Sequence, residues 1–201
     1  MPDWDEDSPE LRENLLRVLR EIRDAARERT PLDLEVLRGW HQEVLQRLTL
    51  PDDSLAGKFR GEPGLEDIEV RIGVHFGVSA SEVRRDLTEF EQTLKRVVDR
   101  LDTLIAKGEQ LSSDQLSAVL DVCAWAHAEW VRIHPFANGN GRIARLLASS
   151  IAMRYGLPPF VRLRPRPDGG YGAAGEKAMQ GDWQPTVGVF RQMLRESLKG
   201  R

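Results

Sequence analysis

The stretch Ile133-His134-Pro135-Phe136-Ala137-Asn138-Gly139-Asn140-Gly141-Arg142-Ile143-Ala144-Arg145 joins two helical segments, and its residue types dictate a particular kind of junction. Pro135 keeps His134 out of the right-handed helical region and helps end the incoming helix. Gly139 and Gly141 permit positive φ, so successive backbone N–H groups can turn into one concavity. That concavity falls at the N-terminus of the next helix, where free amides and the macrodipole favour an anion. Arg142 and Arg145 lie three apart on that helix, so they are expected to project to nearly the same side, each able to grip phosphate oxygens bidentately. An amide nest, a helix dipole and two guanidinium groups point to a polyphosphate. His134, across the turn, is placed to take a proton from a hydroxyl attacking that phosphate. A His-Pro pair or a glycine-rich turn alone is most often only a helix junction; their combination with two helical arginines makes this a candidate site.

Working outward, helical periodicity dominates. The preceding helix, opened by Ser112 or Ser113, carries Leu116, Val119, Leu120, Cys123, Val131 and Ile133 and is apolar around much of its girth, as expected of a central helix. The following one, Gly139 to Tyr155, is equally apolar and closes at Gly156-Leu157-Pro158-Pro159. Near the N-terminus, Ser8-Pro9-Glu10 reads as a cap with proline at the first helical position, followed by the stripe Leu11, Leu15, Val18, Leu19, Ile22. Thr30-Pro31 restarts the chain into a second helix through Leu34, Leu37, Trp40, His41, Val44 and Leu48, and Pro51 ends it. Ser79 or Ser81 caps a long helix from Val83 to Ile105, and Gln184-Pro185 begins the last, with Val187, Phe190, Met193 and Leu194. Arg162 to Gly175 is a loop with a short helix after it. The exception to helix is Gly57 to Gly77, with five glycines and one proline, where Ile68-Glu69-Val70-Arg71-Ile72 alternates apolar with charged. It predicts one short strand or hairpin. The expected fold is all-α with a β-hairpin. No internal repeat and no dividing linker is present, so the expected layout is an N-terminal helical extension over 1–29 and one compact unit over 30–201.

The bulk properties narrow the function. At 201 residues the chain can bury one sizeable core, and its 40% hydrophobic and 30% charged composition is ordinarily globular. A net charge of −3 gives no electrostatic reason to expect a nucleic-acid partner. A single cysteine, Cys123, excludes an intramolecular disulfide and a Cys-rich zinc site, and its apolar setting makes it a small hydrophobe. The acidic start MPDWDEDSPE lacks the regions of a signal peptide, and no window reaches the about 18 apolar residues of a membrane span. The expectation is a cytoplasmic protein without membrane contact.

The central segment resembles the signature of the Fic family, His-Pro-Phe-x-Asp/Glu-Gly-Asn-Gly-Arg-x-x-Arg, at every fixed position but one. Gly57-Lys58-Phe59-Arg60 followed by Val70-Arg71-Ile72-Gly73 is similar to the family's flap, and Tyr171…Ala178…Gly181-Asp182-Trp183-Gln184-Pro185 to its closing segment. Together they cover roughly residues 30 to 198. The resemblance implies a Fic-type helical bundle with a β-hairpin flap, and transfer of AMP from ATP to a Ser, Thr or Tyr hydroxyl of a target protein. His134 is then the general base and Phe136 the loop's anchor in the core. Gly139, Asn140 and Gly141 cradle the α- and β-phosphates, Arg142 holds the β-phosphate, and Arg145 holds the terminal one. The flap, about Glu66 to His75, aligns an extended target segment by strand addition through Ile68, Val70 and Ile72. Tyr171 approaches the nucleotide base.

Where the signature has an acid that coordinates magnesium, this chain has Asn138. An amide oxygen can ligate Mg²⁺ but brings no charge, so metal affinity is expected to be weakened. Three outcomes stay open: AMP transfer; phosphorylation with the nucleotide reversed, as in the death-on-curing branch, which also carries Asn here but has Ala and Lys at the positions of Gly139 and Gly141; or a nucleotide-binding or interaction module of weak chemistry. An internal inhibitory helix of the pattern Ser/Thr-x-x-x-Glu-Gly/Asn finds its nearest match in Ser8…Glu13-Asn14, one residue out of step, so a plain cap is expected there. A separate antitoxin-like partner is the alternative. Among other residues, His127 is expected to make a structural hydrogen bond, His41 to pack, His75 to belong to the flap, and Trp125 and Trp130 to lie in the core. The arginines of Arg162-Leu163-Arg164-Pro165-Arg166 are expected in a solvated loop, with a supplementary part in nucleotide or target binding as the alternative.

Overall fold

A computed structural model describes residues 8–199; residues 200–201 and the acidic N-terminal stretch 1–7, on which the expected absence of a leader rests, lie outside the described residues. Seven α-helices occur among them. The centre is the pair α4 (Ser113–Ile133) and α5 (Asn140–Arg154), in which every α5 residue except Gly141 is buried. A capping box fixes the start of α4: the Ser112 side chain accepts from the Gln115 amide while the Gln115 side chain accepts from the Ser112 amide.

The other helices wrap this pair. α1 (Pro9–Glu28), capped by Ser8, packs along α5 with a buried stripe of Leu11, Leu15, Val18, Ile22 and Ala26. α2 (Leu34–Leu45) lies beside α1, where the buried Asn14 amide donates to the Val44 and Gln46 carbonyls. α3 (Ala80–Leu104) presents Phe90 to Trp125 and Trp130 of α4. α6 (Tyr171–Met179) and α7 (Gln184–Lys199) close the far side, with Phe190 edge-on to His127 and Phe160. Arg154 ends α5 by donating to the Thr30 carbonyl at 2.8 Å and pairing with Asp102 of α3, so the C-terminal ends of α1 and α5 lie together. Cys123 is buried, and desolvation pushes its thiol up, so it packs as a hydrophobe. No helix among the described residues is long and apolar enough to cross a membrane.

Several boundaries differ from the sequence-based expectation. The second helix starts at Leu34, because Asp33 and not Thr30 supplies the cap, its carboxylate accepting from the Val36 amide at 2.9 Å. It ends at Leu45, before Arg47 turns to a φ of 65°, well ahead of Pro51. The expected loop up to Gly175 already becomes α6 at Tyr171, after Gly170 at φ 89°; Gly172 and Gly175 are helical. The strand is far shorter than Ile68–Ile72. Only β1 (Arg71–Ile72) pairs antiparallel with β2 (His75–Phe76), and the last rung is the Gly77 amide on the Val70 carbonyl. The Ile68 carbonyl instead accepts from the Arg60 guanidinium at 3.0 Å, which ends the ladder.

Candidate active site

His134 is the residue that terminates α4. Its backbone sits at φ 54°, ψ 54°, the left-handed conformation, with Pro135 behind it and its own amide still bonded to the Trp130 carbonyl. The ring Nδ1 lies 2.9 Å from the Val131 carbonyl oxygen. A carbonyl can only accept, so Nδ1 carries the proton and Nε2 carries the lone pair. The sequence context thus holds an imidazole of defined tautomer at the C-terminal end of α4.

The loop that follows is closed by its own residues. The Asn140 side chain accepts from the Phe136 amide at 2.9 Å and donates to the Phe136 carbonyl at 2.7 Å. The side chain of Asn140 therefore clasps the turn, which leaves its backbone amide as the group it can offer to the cavity. Phe136 is fully buried against Phe59 and Trp130, and its ring stacks on His41 at 3.7 Å with an interplanar angle of 5°. His41 contributes more than packing. Its Nδ1 accepts from the Gly57 amide at 2.8 Å, so Nε2 bears the proton and donates to the Asn138 carbonyl at 3.1 Å. Burial pushes its pKa down to about 3, with nearby Arg142 acting the same way against the opposing Asn138 bond, so the ring stays neutral.

The two glycines serve different ends. Gly139 caps α5 at φ 79°, and a Cβ there would lie 3.1 Å from His41 Nε2. Gly141 does not adopt positive φ as expected from the sequence. It lies within the first helical turn, and its bare Cα leaves room for the Arg145 guanidinium, whose Nη1 would sit 3.3 Å from a Cβ. Arg142 and Arg145 are both nearly fully buried and face one cavity of about 760 Å³. His134 and residues 138 to 141 line the same cavity, with the flap residues Ile68, Val70 and Ile72 forming its opposite wall. The sequence-predicted site residues thus meet in one place, with Phe136 beneath them.

Three residues carry this geometry through partners that the sequence does not show. Arg60 is 1% exposed, and its guanidinium donates to the carbonyls of Ile133 (3.0 Å), His134 (2.8 Å), Ile68 (3.0 Å) and Val78 (2.6 Å). It ties both roots of the flap to the residue that bears the imidazole. The Tyr171 hydroxyl accepts from Arg145 Nη1 at 3.4 Å and lies 2.7 Å from His127 Nε2. Tyr171 and His127, expected at the nucleotide base and in a structural hydrogen bond, form a buried pair beneath Arg145.

The protein's own share in holding Mg²⁺ is small. Asn138 supplies a neutral amide oxygen that already accepts from the Gly139 amide at 2.6 Å, and no metal-binding group of three His, Cys, Asp or Glu occurs among the described residues. Nor does Glu13 of the candidate inhibitory pattern approach the site: it pairs with Arg47 at 3.1 Å on the surface.

Residues 31–152 match the model of the Fic/DOC family. The chain is similar to the protein adenylyltransferase fic-1 of Caenorhabditis briggsae, 36% identical over 100 residues, covering 48% of this chain and 18% of that one. It is likewise similar to the protein adenylyltransferase Fic of Nematostella vectensis, 42% identical over 69 residues, covering 34% of this chain and 16% of the relative. The matches thus span less than a fifth of the length of these relatives. Among solved structures, Fic-1 of C. elegans superposes with a TM-score of 0.65 at 25% identity over 92% of this chain and 48% of the other. BepC of Bartonella tribocorum, solved with bound AMPPNP, superposes at 0.61 and 20% identity over 91% of this chain and 85% of that one, a likeness of fold.

Proposed function

The chain belongs to the Fic/DOC family, and from that premise we infer that it transfers AMP from ATP to a hydroxyl side chain of a target protein. The observation that carries this reading is the fixed tautomer of His134, whose Nδ1–H bonds to the Val131 carbonyl on the rim of a cavity shared with Arg142, Arg145 and the N-terminus of α5. The curated relatives named protein adenylyltransferases and the AMPPNP-bound BepC structure support a nucleotide as donor.

In this mechanism an extended target segment adds to the flap beside Ile68, Val70 and Ile72, bringing a Ser, Thr or Tyr hydroxyl to Nε2 of His134. The hydroxyl oxygen attacks the α-phosphorus as its proton passes to Nε2. The new O–P bond forms as the bond from the α-phosphorus to the β-bridging oxygen breaks, and pyrophosphate leaves with that electron pair. The amides of Asn140 and Gly141, the α5 dipole, Arg142 and Arg145 stabilise the charge gathering on the leaving group. Regulation fits a separate antitoxin-like protein better than an internal Glu13, which is engaged elsewhere.

Asn138 favours a second reading, in which the nucleotide binds reversed and the γ-phosphoryl group moves. ATP labelled at the α or the γ position separates the two. Label from α on the target, lost in His134→Ala with ATP affinity retained, is the expected result. Label from γ alone assigns phosphoryl transfer, and tight binding with neither label transferred assigns a binding module.

A further inference from the structure

Beyond Arg145 the cavity wall continues into cations that the mechanism above does not use. Arg164 and Arg166, on the loop between α5 and α6, line the same cavity as Arg142 and Arg145. Arg162 instead turns back on its own loop, donating to the Pro165 and Arg166 carbonyls. The Arg166 guanidinium lies 5.7 Å over the centre of the Tyr171 ring, the same residue whose hydroxyl accepts from Arg145. One buried aromatic side chain therefore seats two guanidinium groups that come from different elements. Both crowd His127, whose pKa falls to about 3 through burial first and then through Arg145 and Arg166, so the imidazole beneath them stays neutral.

Five arginines and two glutamates line the cavity, so its charge favours a multiply charged anion. Glu69, at the flap root, is engaged by Arg60 at 3.7 Å and by the Ala80 amide at 3.2 Å. Arg145 stands one turn along α5 from Arg142 and donates to the Tyr171 hydroxyl, and Arg166 lies over the Tyr171 ring, while Arg164 lines the same cavity. On the donor reading the terminal phosphate belongs to Arg145, whose guanidinium meets Tyr171 and so adjoins Arg166. We propose that Arg166, seated on Tyr171, and Arg164 share with Arg145 the terminal phosphate of a nucleoside triphosphate, and that this makes the site select triphosphates over diphosphates. The proposal rests on the nucleotide-donor reading above.

Calorimetric titration of the full chain with ADP and with a non-hydrolysable ATP analogue tests it, comparing wild type with Arg166→Ala, Arg166→Lys and Arg164→Ala. Arg166 is exposed, so its removal leaves the fold intact and decides the matter even where Arg164→Ala fails to fold. The expected result is a loss of about tenfold in affinity for the triphosphate analogue in Arg166→Ala, as for one charge-assisted hydrogen bond, with ADP binding changed by less than about twofold. Arg166→Lys, which keeps charge without the planar fork, recovers part of the loss. Equal losses for both nucleotides, or no loss for either, overturn the subsite while leaving the donor reading standing. A wild-type chain that binds neither nucleotide overturns the donor reading itself and the subsite with it.

Discussion

Replacing Arg60 by methionine removes one buried cation and uncouples the flap from the end of α4. Four carbonyls lose their donor, of which those of Ile133 and His134 are fully buried and those of Ile68 and Val78 can take water. Leaving two buried acceptors unpaired costs roughly 2–6 kcal/mol. The loss is offset in part because burial also disfavours the guanidinium's own charge, which holds its pKa below the usual arginine value despite Glu69. A net destabilisation of about 2–4 kcal/mol is left, lowering the melting temperature by on the order of 10 °C for a chain of this size without unfolding it at 25 °C. The functional effect is larger and selective. Arg60 touches no residue of the phosphate nest, so ATP affinity changes by less than about threefold, equivalent to under 1 kcal/mol. The flap and His134 lose their common anchor, and a misplacement of about 1 Å lowers target modification by roughly a hundredfold. Thermal melts, ATP titration and labelled transfer to the target measure the three quantities. Arg60→Lys keeps the charge but spans fewer carbonyls, and is expected between methionine and wild type. A methionine variant that melts within about 2 °C of wild type and modifies its target normally would falsify the account of Arg60, since each kcal/mol moves the melt by about 2–4 °C.

Four further outcomes follow from the same geometry. Gly139→Ala, which places a Cβ 3.1 Å from His41 Nε2 at a φ of 79°, is expected to cost about 1–2 kcal/mol and to weaken ATP binding by tenfold or more, read by melting and titration. Asn138→Asp restores a charged oxygen, so nucleotide binding is expected to respond to Mg²⁺ at lower concentration than in wild type; an unchanged Mg²⁺ titration refutes the reading of Asn138. His41 and His127 titrate near 3 when folded and near 6.5 when unfolded, so below pH about 6.5 the unfolded chain binds protons the folded one does not. Stability from each is complete above that pH and falls as pH drops towards 3, by up to about 1.4 kcal/mol per pH unit per ring, and His41→Gln is expected to remove one ring's share of that slope in melts from pH 6 to 4. Deletion of residues 1–29 strips the stripe Leu11, Leu15, Val18, Ile22 and Ala26 from α5 and is expected to give an aggregating chain by light scattering, which tests whether α1 is an extension or part of the core.

What could be read from the sequence depended on whether a residue's partners lie near it along the chain. Ser8 and Ser112 bond to amides three residues away, so their capping roles follow from local pattern. The burial of nearly all of α5, and of most of the second half of α4, follows from the apolar residues round each helix. The glycine-rich turn also bonds within itself, through Asn140 and Phe136. Arg60 and His41 are different, since the bonds that tie them to the site loop reach 73–74 and 97 residues along the chain. The helical spacing of His41 announces its packing but not its bond to the Asn138 carbonyl, and an arginine in a glycine-rich stretch gives no hint of burial. The short β1 has the same origin, because apolar–charged alternation from Ile68 to Ile72 cannot reveal that Arg60 has taken the Ile68 carbonyl. The helix α6 was hidden for an intrinsic reason: Gly172 and Gly175 are poor helix formers, and packing of Tyr171, Ala174 and Ala178 supplies what propensity lacks.

Asn138 shows where the two kinds of information meet. Its identity states that a carboxylate is missing beside the phosphate nest, which weakens any metal held there. Its surroundings state how its atoms are used: the side-chain oxygen accepts from the Gly139 amide, and its backbone carbonyl accepts from His41. The residue thus fixes the turn that opens α5 at the point where an acid in its place would repel the incoming phosphates. On the AMP-transfer reading, a cavity already rich in arginine sets guanidinium groups where a bridging cation would otherwise neutralise the phosphates.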